Sequence, residues 1–183
     1  MSIEAVRDAI VATIAAQLPS LRTCAAHPGR FTLDELARVT FKTPAVHVAA
    51  LVTGQQEQSG ESINAVVSWC AYVTTESTSG VDRDLAAIRL VNGLLQIIDS
   101  NDWGSDDVVE DPANIKAQNL YSGTIDKTGV AMWAITWIQK IRLGETFDMG
   151  ELDDFLRAIG ESVNDDGMTL IESQTELEGT GNE

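Results

Sequence analysis

Large apolar side chains alternate with smaller or more polar ones along residues 129–144. The odd positions of this stretch hold Trp133, Ile135, Trp137, Ile141 and Leu143. A period of two predicts a β-strand with one face in a core, and the other face becomes more polar towards its C-terminal end. A strand of roughly 14 residues extends about 45 Å at about 3.3 Å per residue, so we expect its end to be able to reach a neighbouring subunit.

Two main helices are predicted by apolar residues spaced three and four apart. The first stripe runs from Ile3 to Leu18, with Ser2 as its N-cap and Pro19 ending it. The second helix begins at Asp82 or Asp84, and its predicted buried face comprises Leu85, Ile88, Val91, Leu95 and Ile98. Shorter helices are predicted from Thr32 to about Val39 and over residues 149–159.

Four further strands are predicted over residues 21–26, 41–53, 64–75 and 115–121. The polar run of residues 54–60 is predicted to be a hairpin loop, and residues 126–129 a turn. This order of elements predicts an α+β fold in which two main helices cover one face of a largely antiparallel sheet. We expect one domain over residues 1–160, followed by an acidic tail.

The tail of residues 161–183 has seven acidic residues and no basic one, and is predicted to be mobile or to dock on a partner. The whole chain carries a net charge of −16, which argues against binding to nucleic acid or to an anionic membrane. No apolar run approaches the roughly 18 residues that a membrane span needs, and the N-terminus does not resemble a secretory signal. We expect assembly in the cytoplasm.

The sequence contains few candidates for catalytic or metal-binding residues. His27 precedes a turn and His47 lies within an apolar strand, while Cys24 and Cys70 are predicted to be buried free thiols. The chain has no nucleophile elbow and no phosphate-binding glycine loop. Residues 99–110 resemble a calcium loop only imperfectly, because Trp103 stands where an oxygen ligand is needed. We therefore expect no enzyme activity, no catalytic residue, no cofactor and no metal.

A good core, long strands and polar connections without evident chemistry favour a role in assembly. Trp133 and Trp137 are predicted to lie in the core. Trp103 lies in an acidic loop where burial within the chain is difficult, so we predict that it contacts a partner.

Several segments resemble the Mu-like bacteriophage tail terminator family, over roughly residues 1–160. They are residues 27–36 with residues 43–46, the strand of residues 68–73, and residues 129–139 leading to residues 143–144. The resemblance implies an α+β subunit that forms a ring, typically a hexamer, at the head-proximal end of the virion tail. Such a ring stops polymerisation of the tail tube protein and presents a surface to head-completion or connector proteins. DNA would pass the acidic lumen without specific binding.

Within this family the function rests on interfaces rather than on catalytic residues. The predicted interface residues are Gln55, Gln56 and Gln58 of the polar loop, Trp103, and Lys140 and Arg142 at the end of the long strand. Three alternatives stay open at this point. They are a neck or head-tail connector subunit, an acidic inhibitor that mimics DNA, and a small hydrolase that uses His47 with a distant serine.

Overall fold

The structure is a computed structural model, and it describes residues 2–31, 42–59, 62–78, 80–126 and 129–145. Three predicted segments lie outside these residues: the short helix that begins at Thr32, the helix of residues 149–159, and the acidic tail of residues 161–183. The predicted domain end at residue 160 lies outside them as well.

The described residues form helices and one sheet. The helices are α1 (Ile3–Gln17), α2 (Arg83–Ile98) and the single turn α3 (Gly123–Asp126). The strands are β1 (Thr23–Ala26), β2 (Ala45–Ser59), β3 (Ser62–Glu76), β4 (Ala113–Asn119) and β5 (Val130–Glu145). The sheet has the order β1-β2-β3-β5-β4. β1 pairs with β2 in parallel and the other neighbours pair antiparallel, which confirms the predicted α+β fold.

Both main helices pack on the same face of the sheet. In α1 the Ser2 hydroxyl accepts a hydrogen bond from the Ala5 N–H at 3.3 Å, and in α2 the Asp82 carboxylate accepts one from the Asp84 N–H at 2.8 Å. α1 contacts β1 and β2, whereas α2 contacts β3 and β5. Their shared core includes Val6, Ile10, Ile14, Val91, Leu94, Val48, Trp69, Val73, Ile135, Trp137 and Ile141. Burial of each large apolar side chain contributes about 1.5–3 kcal/mol.

The buried face of α2 agrees with the prediction only in part: Val91 and Ile98 are buried as predicted, and Leu95 is half-buried. Leu85 and Ile88 are 45% and 44% exposed, and the fully or nearly buried residues are Ala87, Val91, Leu94, Ile97 and Ile98. This helix carries apolar residues on two adjacent stripes, and the prediction followed the one that begins with the larger side chains. The sheet instead contacts the stripe that begins with Ala87, because a small residue allows the helix to approach closely.

The polar run after residue 53 is not a loop, so this prediction was wrong. β2 continues through Ser59, and Gln56, Glu57 and Gln58 pair with Ala65, Asn64 and Ile63 of β3. The pairing has irregularities between Ala50 and Val52 and between Gly54 and Gln56. β3 supplies a complete row of backbone partners, and such pairing does not depend on whether the side chains are apolar.

A second, smaller core lies on the opposite face of the sheet and was not predicted. The single turn α3 begins beside Ser122, whose hydroxyl accepts a hydrogen bond from the Ile125 N–H at 3.2 Å. Ile125 packs there with Cys70, Tyr72, Val130, Met132 and Ala134. Gly129, at the start of β5, has a φ of 78°, a left-handed conformation that suits glycine.

Candidate assembly surfaces

Most of the outer edge of β2 has no strand partner among the described residues. β1 pairs with β2 only from Ala45 to Val48, and the His27 N–H donates one further hydrogen bond to the Val48 carbonyl at 2.7 Å. Among the described residues, none pairs with the outer edge of residues 49–59. Val52 is 55% exposed, and Thr53 and Gly54 are exposed too. Because successive strand residues point to opposite faces, both faces of β2 are open there.

β4 forms the other edge of the sheet, and it is more exposed than any other strand. All of its residues are exposed except Ile115, which is half-buried. Within the described structure, β4 pairs only with β5. This pairing is irregular between Ala113 and Lys116, where Asn114 has a φ of 55°. In the described part of the chain, the backbone groups of β4 that point away from β5 have no strand partner.

Both open edges are poor in charge. Glu57 is the single Asp, Glu, Lys or Arg in residues 49–59 of β2, and Lys116 is the single such residue in β4, although 22% of the chain is charged. Charged side chains on edge strands normally discourage pairing with another sheet. The sparsity of charge on these two strands is consistent with edges that join a partner.

A groove of about 320 Å³ crosses the sheet between the two edges, on the face opposite α1 and α2. Its walls come from β2, β3, β5 and β4, and include Leu51, Val52, Ser68, Thr136, Ile138 and Lys116. Arg30 also lines it. Arg30 and Lys116 therefore place two cations beside a floor of mixed polar and apolar side chains. No pattern in the sequence predicted this groove, because its residues come together only through the strand order.

An aromatic cluster fixes the segment after β1 to the same face. The rings of His27 and Phe31 stack with centroids 4.7 Å apart, and Phe31 lies 5.6 Å from His47 and 5.5 Å from Tyr72. Burial lowers the pKa of His47, and the neighbouring His27 lowers it further. Burial raises the pKa of Tyr72 to about 12. Both rings are therefore neutral near pH 7, as packing groups require.

Trp103 does not present its ring to solvent, so the premise for its interface role was wrong. The residue is 4% exposed, and its indole N–H donates a hydrogen bond to Gln139 Oε1 at 2.8 Å. Its ring lies 5.9 Å from that of Trp137. Gln139 Nε2 donates in turn to the Asn101 carbonyl at 2.9 Å. Burial within the chain is possible because a polar residue, Gln139, occupies an odd position of β5 and supplies the acceptor for the indole N–H.

The other predicted interface residues lie on two strands, β2 and β5, that flank β3. The backbone of Gln55, Gln56 and Gln58 belongs to β2 rather than to a loop. Lys140 Nζ lies 3.2 Å from Glu110 Oε1, an ion pair within the chain. Arg142 is exposed, and its backbone N–H donates to the Asp107 carbonyl at 2.7 Å. Gln56 and Gln58 pair with Ala65 and Ile63 of β3, which pair with Ile141 and Leu143 of β5. The register therefore places the glutamine segment and the Lys140/Arg142 end of β5 at the same end of the sheet, with β3 between them.

The acidic loop before β4 uses its side chains to hold its own backbone. Asn101 Oδ1 accepts a hydrogen bond from the Trp103 N–H at 2.7 Å, and Asp102 Oδ1 accepts one from the Gly104 N–H at 2.9 Å. These are turn contacts rather than ligands converging on an ion. In the described part of the chain, no three His, Cys, Asp or Glu residues cluster in a way that could hold a metal.

The thiols are free among the described residues. Cys70 is buried and Cys24 half-buried, and burial raises the pKa of each thiol to about 11. Such thiols are protonated and poorly nucleophilic near pH 7. No described helix is long and apolar enough to cross a membrane.

Comparison with known proteins gives one family match. A family model described as "Bacteriophage Mu, Gp37" matches residues 2–141. The matched region contains α1 to β4 and most of β5, and with them both open edges. A search of curated proteins found no match.

Proposed function

The chain belongs to the bacteriophage Mu Gp37 family, and from this premise we propose that it is a tail terminator of a Mu-like phage. It is a phage protein, and the family supports a structural place in the virion. In the proposal, copies of the chain form a ring, which we take to be a hexamer, on the head-proximal end of the tail. The ring stops the tail tube protein from polymerising and joins the tail to head-completion or connector proteins.

The observation that carries this proposal is the family match over residues 2–141, well over half of the chain. The structure is compatible with it, since charge-poor edges stand at both sides of one sheet. Charge supports the same role. The loop before β4 exposes Asp99, Asp102, Asp106, Glu110 and Asp111. A ring whose wall is negative repels phosphate, so DNA would pass through it without binding.

The test is the solution mass of the full chain, measured by light scattering, alone and mixed with the tail tube protein of the same phage. We expect a hexamer in at least one of these conditions. We also expect tubes polymerised in its presence to be shorter in electron micrographs than tubes polymerised with an unrelated acidic protein of similar mass. A strict monomer that leaves tube length unchanged would contradict the proposal.

The same preparation separates the terminator from a neck or head-tail connector subunit. A terminator binds the end of the tube and also the head-completion protein. A connector binds the head-completion or portal side and leaves tube polymerisation unaffected. Binding to a nucleic-acid-binding enzyme that weakens with salt would instead support the DNA-mimic class.

A further inference from the structure

We propose that neighbouring copies of this chain join by main-chain pairing between two different edges. The outer edge of β2, over residues 49–59, would pair with β4 (Ala113–Asn119) of the next copy. The proposal rests on the ring proposed above and specifies its contact. The partner is a second copy of this chain, and the interface is a continuation of the sheet.

Strand direction supports pairing between these two edges. β3 is antiparallel to β2, β5 is antiparallel to β3, and β4 is antiparallel to β5. β4 is therefore antiparallel to β2. Rotation about a ring axis preserves the component of each strand's direction along that axis, so strands that run mainly along the axis bring β4 of one copy to β2 of the next in antiparallel orientation. Antiparallel pairing is the slightly more stable of the two arrangements.

Because the two edges differ, the contact is heterologous, with β2 on one side and β4 on the other. Heterologous contacts generate closed rings when the rotation between copies closes, whereas pairing of an edge with itself stops at a dimer. A subunit with two unlike open edges is therefore suited to a ring.

The positions of the two edges along the strand direction also fit a ring with tilted strands. Lys116 of β4 pairs with Thr136 of β5, Thr136 pairs with Cys70 of β3, and Cys70 pairs with Ala49 of β2. The middle of β4 is therefore level with Ala49, where the open part of β2 begins. The open part extends from there to Ser59. Closing a sheet requires the strands to tilt and the register to shift at each step around the ring. Full pairing of β4 with residues 49–59 requires such a shift.

Both edges carry register irregularities, between Ala50 and Val52, between Gly54 and Gln56, and between Ala113 and Lys116. β-bulges bend a strand and increase its twist, and they occur often at the rims of closed sheets. An irregular edge also pairs poorly with an arbitrary strand. Together with the low charge of both edges, this favours one matched partner over indiscriminate aggregation.

The test uses cysteine pairs in the full chain. Thr53→Cys places a thiol on the open part of β2, and Gln118→Cys places one on β4; both native residues are exposed. A short bismaleimide is added to each variant alone and to an equimolar mixture that has been dissociated and reassembled. We expect cross-linked dimers in the mixture and in neither variant alone, and a ladder up to the full ring in the double variant.

Two controls accompany the cross-linking. The unsubstituted chain reports any reaction of Cys24 and Cys70. Asn92→Cys, mixed with Gln118→Cys, reports non-specific contact, because Asn92 is exposed on α2, away from both edges. Neither control is expected to give dimers.

A charge test complements the cross-links. Thr53→Lys and Gln118→Lys should each weaken assembly at least tenfold, measured as the protein concentration at half-assembly, whereas Asn92→Lys should leave it unchanged. An intact ring that is neither cross-linked through these positions nor weakened by these lysines would overturn the edge pairing and leave the terminator role standing. Dimers formed by Thr53→Cys alone would show self-pairing and overturn it too. A strict monomer that leaves tube length unchanged would overturn both proposals.

Discussion

β3 and β2 are adjacent strands of 15 residues each, but their surroundings differ. β3 pairs with β2 on one side and with β5 on the other along its length, and every residue from Asn64 to Thr75 is buried or half-buried. Within the described part of the chain, β2 has partners on both sides only from Ala45 to Val48, and Val52, Thr53 and Gly54 are exposed. The comparison suggests two tasks: β3 and the helices packed on it stabilise the subunit, whereas residues 49–59 of β2 form the edge that we propose joins a second copy.

The largest expected difference between the two strands is in stability. Trp69→Ala in β3 removes a side chain that is 0% exposed, and it should lower the free energy of unfolding by about 3–5 kcal/mol. Val52→Ala in β2 should change it by less than about 0.5 kcal/mol. Denaturant unfolding in the Gln118→Lys background, which we expect to be monomeric, measures both. Similar losses for the two variants would contradict the division of tasks.

A smaller effect on stability is expected at Gln139, a polar residue on the face of β5 that packs into the core. Gln139→Leu leaves the Trp103 indole N–H without its acceptor, and should cost about 1–3 kcal/mol. Gln118→Leu, on the exposed β4, is the matched control and should cost less than about 0.5 kcal/mol. In a Trp103→Phe background, Gln139→Leu should lower the free energy of unfolding by less, because no indole N–H is left without an acceptor. An undiminished loss in that background would show that the hydrogen bond is not its source.

Stability is expected to depend on pH through His47, which lies in the part of β2 that has strand partners on both sides. The pKa of His47 lies below its usual 6.5, so below that pH the unfolded chain binds a proton at His47 that the folded chain does not. Stability should therefore fall as the pH drops from 7 through 6, by at most about 1.4 kcal/mol per pH unit for this one group. His47→Phe should remove this part of the slope. Parallel stability curves for the two proteins would contradict it.

The smallest expected effect is at the end of β5. Glu110→Gln removes the ion pair with Lys140, but the Glu110 side chain is 62% exposed. Exposed pairs contribute little, so unfolding should change by less than about 1 kcal/mol, and by less still in high salt. Thermal unfolding at low and high salt tests this. A large, salt-resistant loss would mean that the pair helps to organise the loop before β4.

Elements whose secondary structure depends mainly on their own residues were predictable from the sequence. The alternation around Trp137 predicted β5, and Ser2 and Pro19 bounded α1. Predictions failed where a neighbouring element decided the outcome. Contact with the sheet buries Ala87 of α2 and leaves Leu85 exposed. Pairing with β3 makes the polar run part of β2 as far as Ser59.

The candidate surfaces were harder to predict than the fold. Trp103 became a core residue only because Gln139, 36 positions later, meets its indole N–H. The groove beside Arg30 and Lys116 arises from the order of the strands, which no local pattern encodes. The low charge of residues 49–59 was a signal available in the sequence, but it indicates an interface only once β2 is known to lie at an edge.

Amide hydrogen exchange tests most directly the claim that the two open edges join copies of the chain. Exchange is compared between the assembled protein and the Thr53→Lys variant, with β3 as the internal reference. The account predicts that residues 49–59 and β4 are both slowed by assembly, whereas β3 is protected in both proteins. An assembled protein in which both edges exchange as fast as in the variant would contradict it.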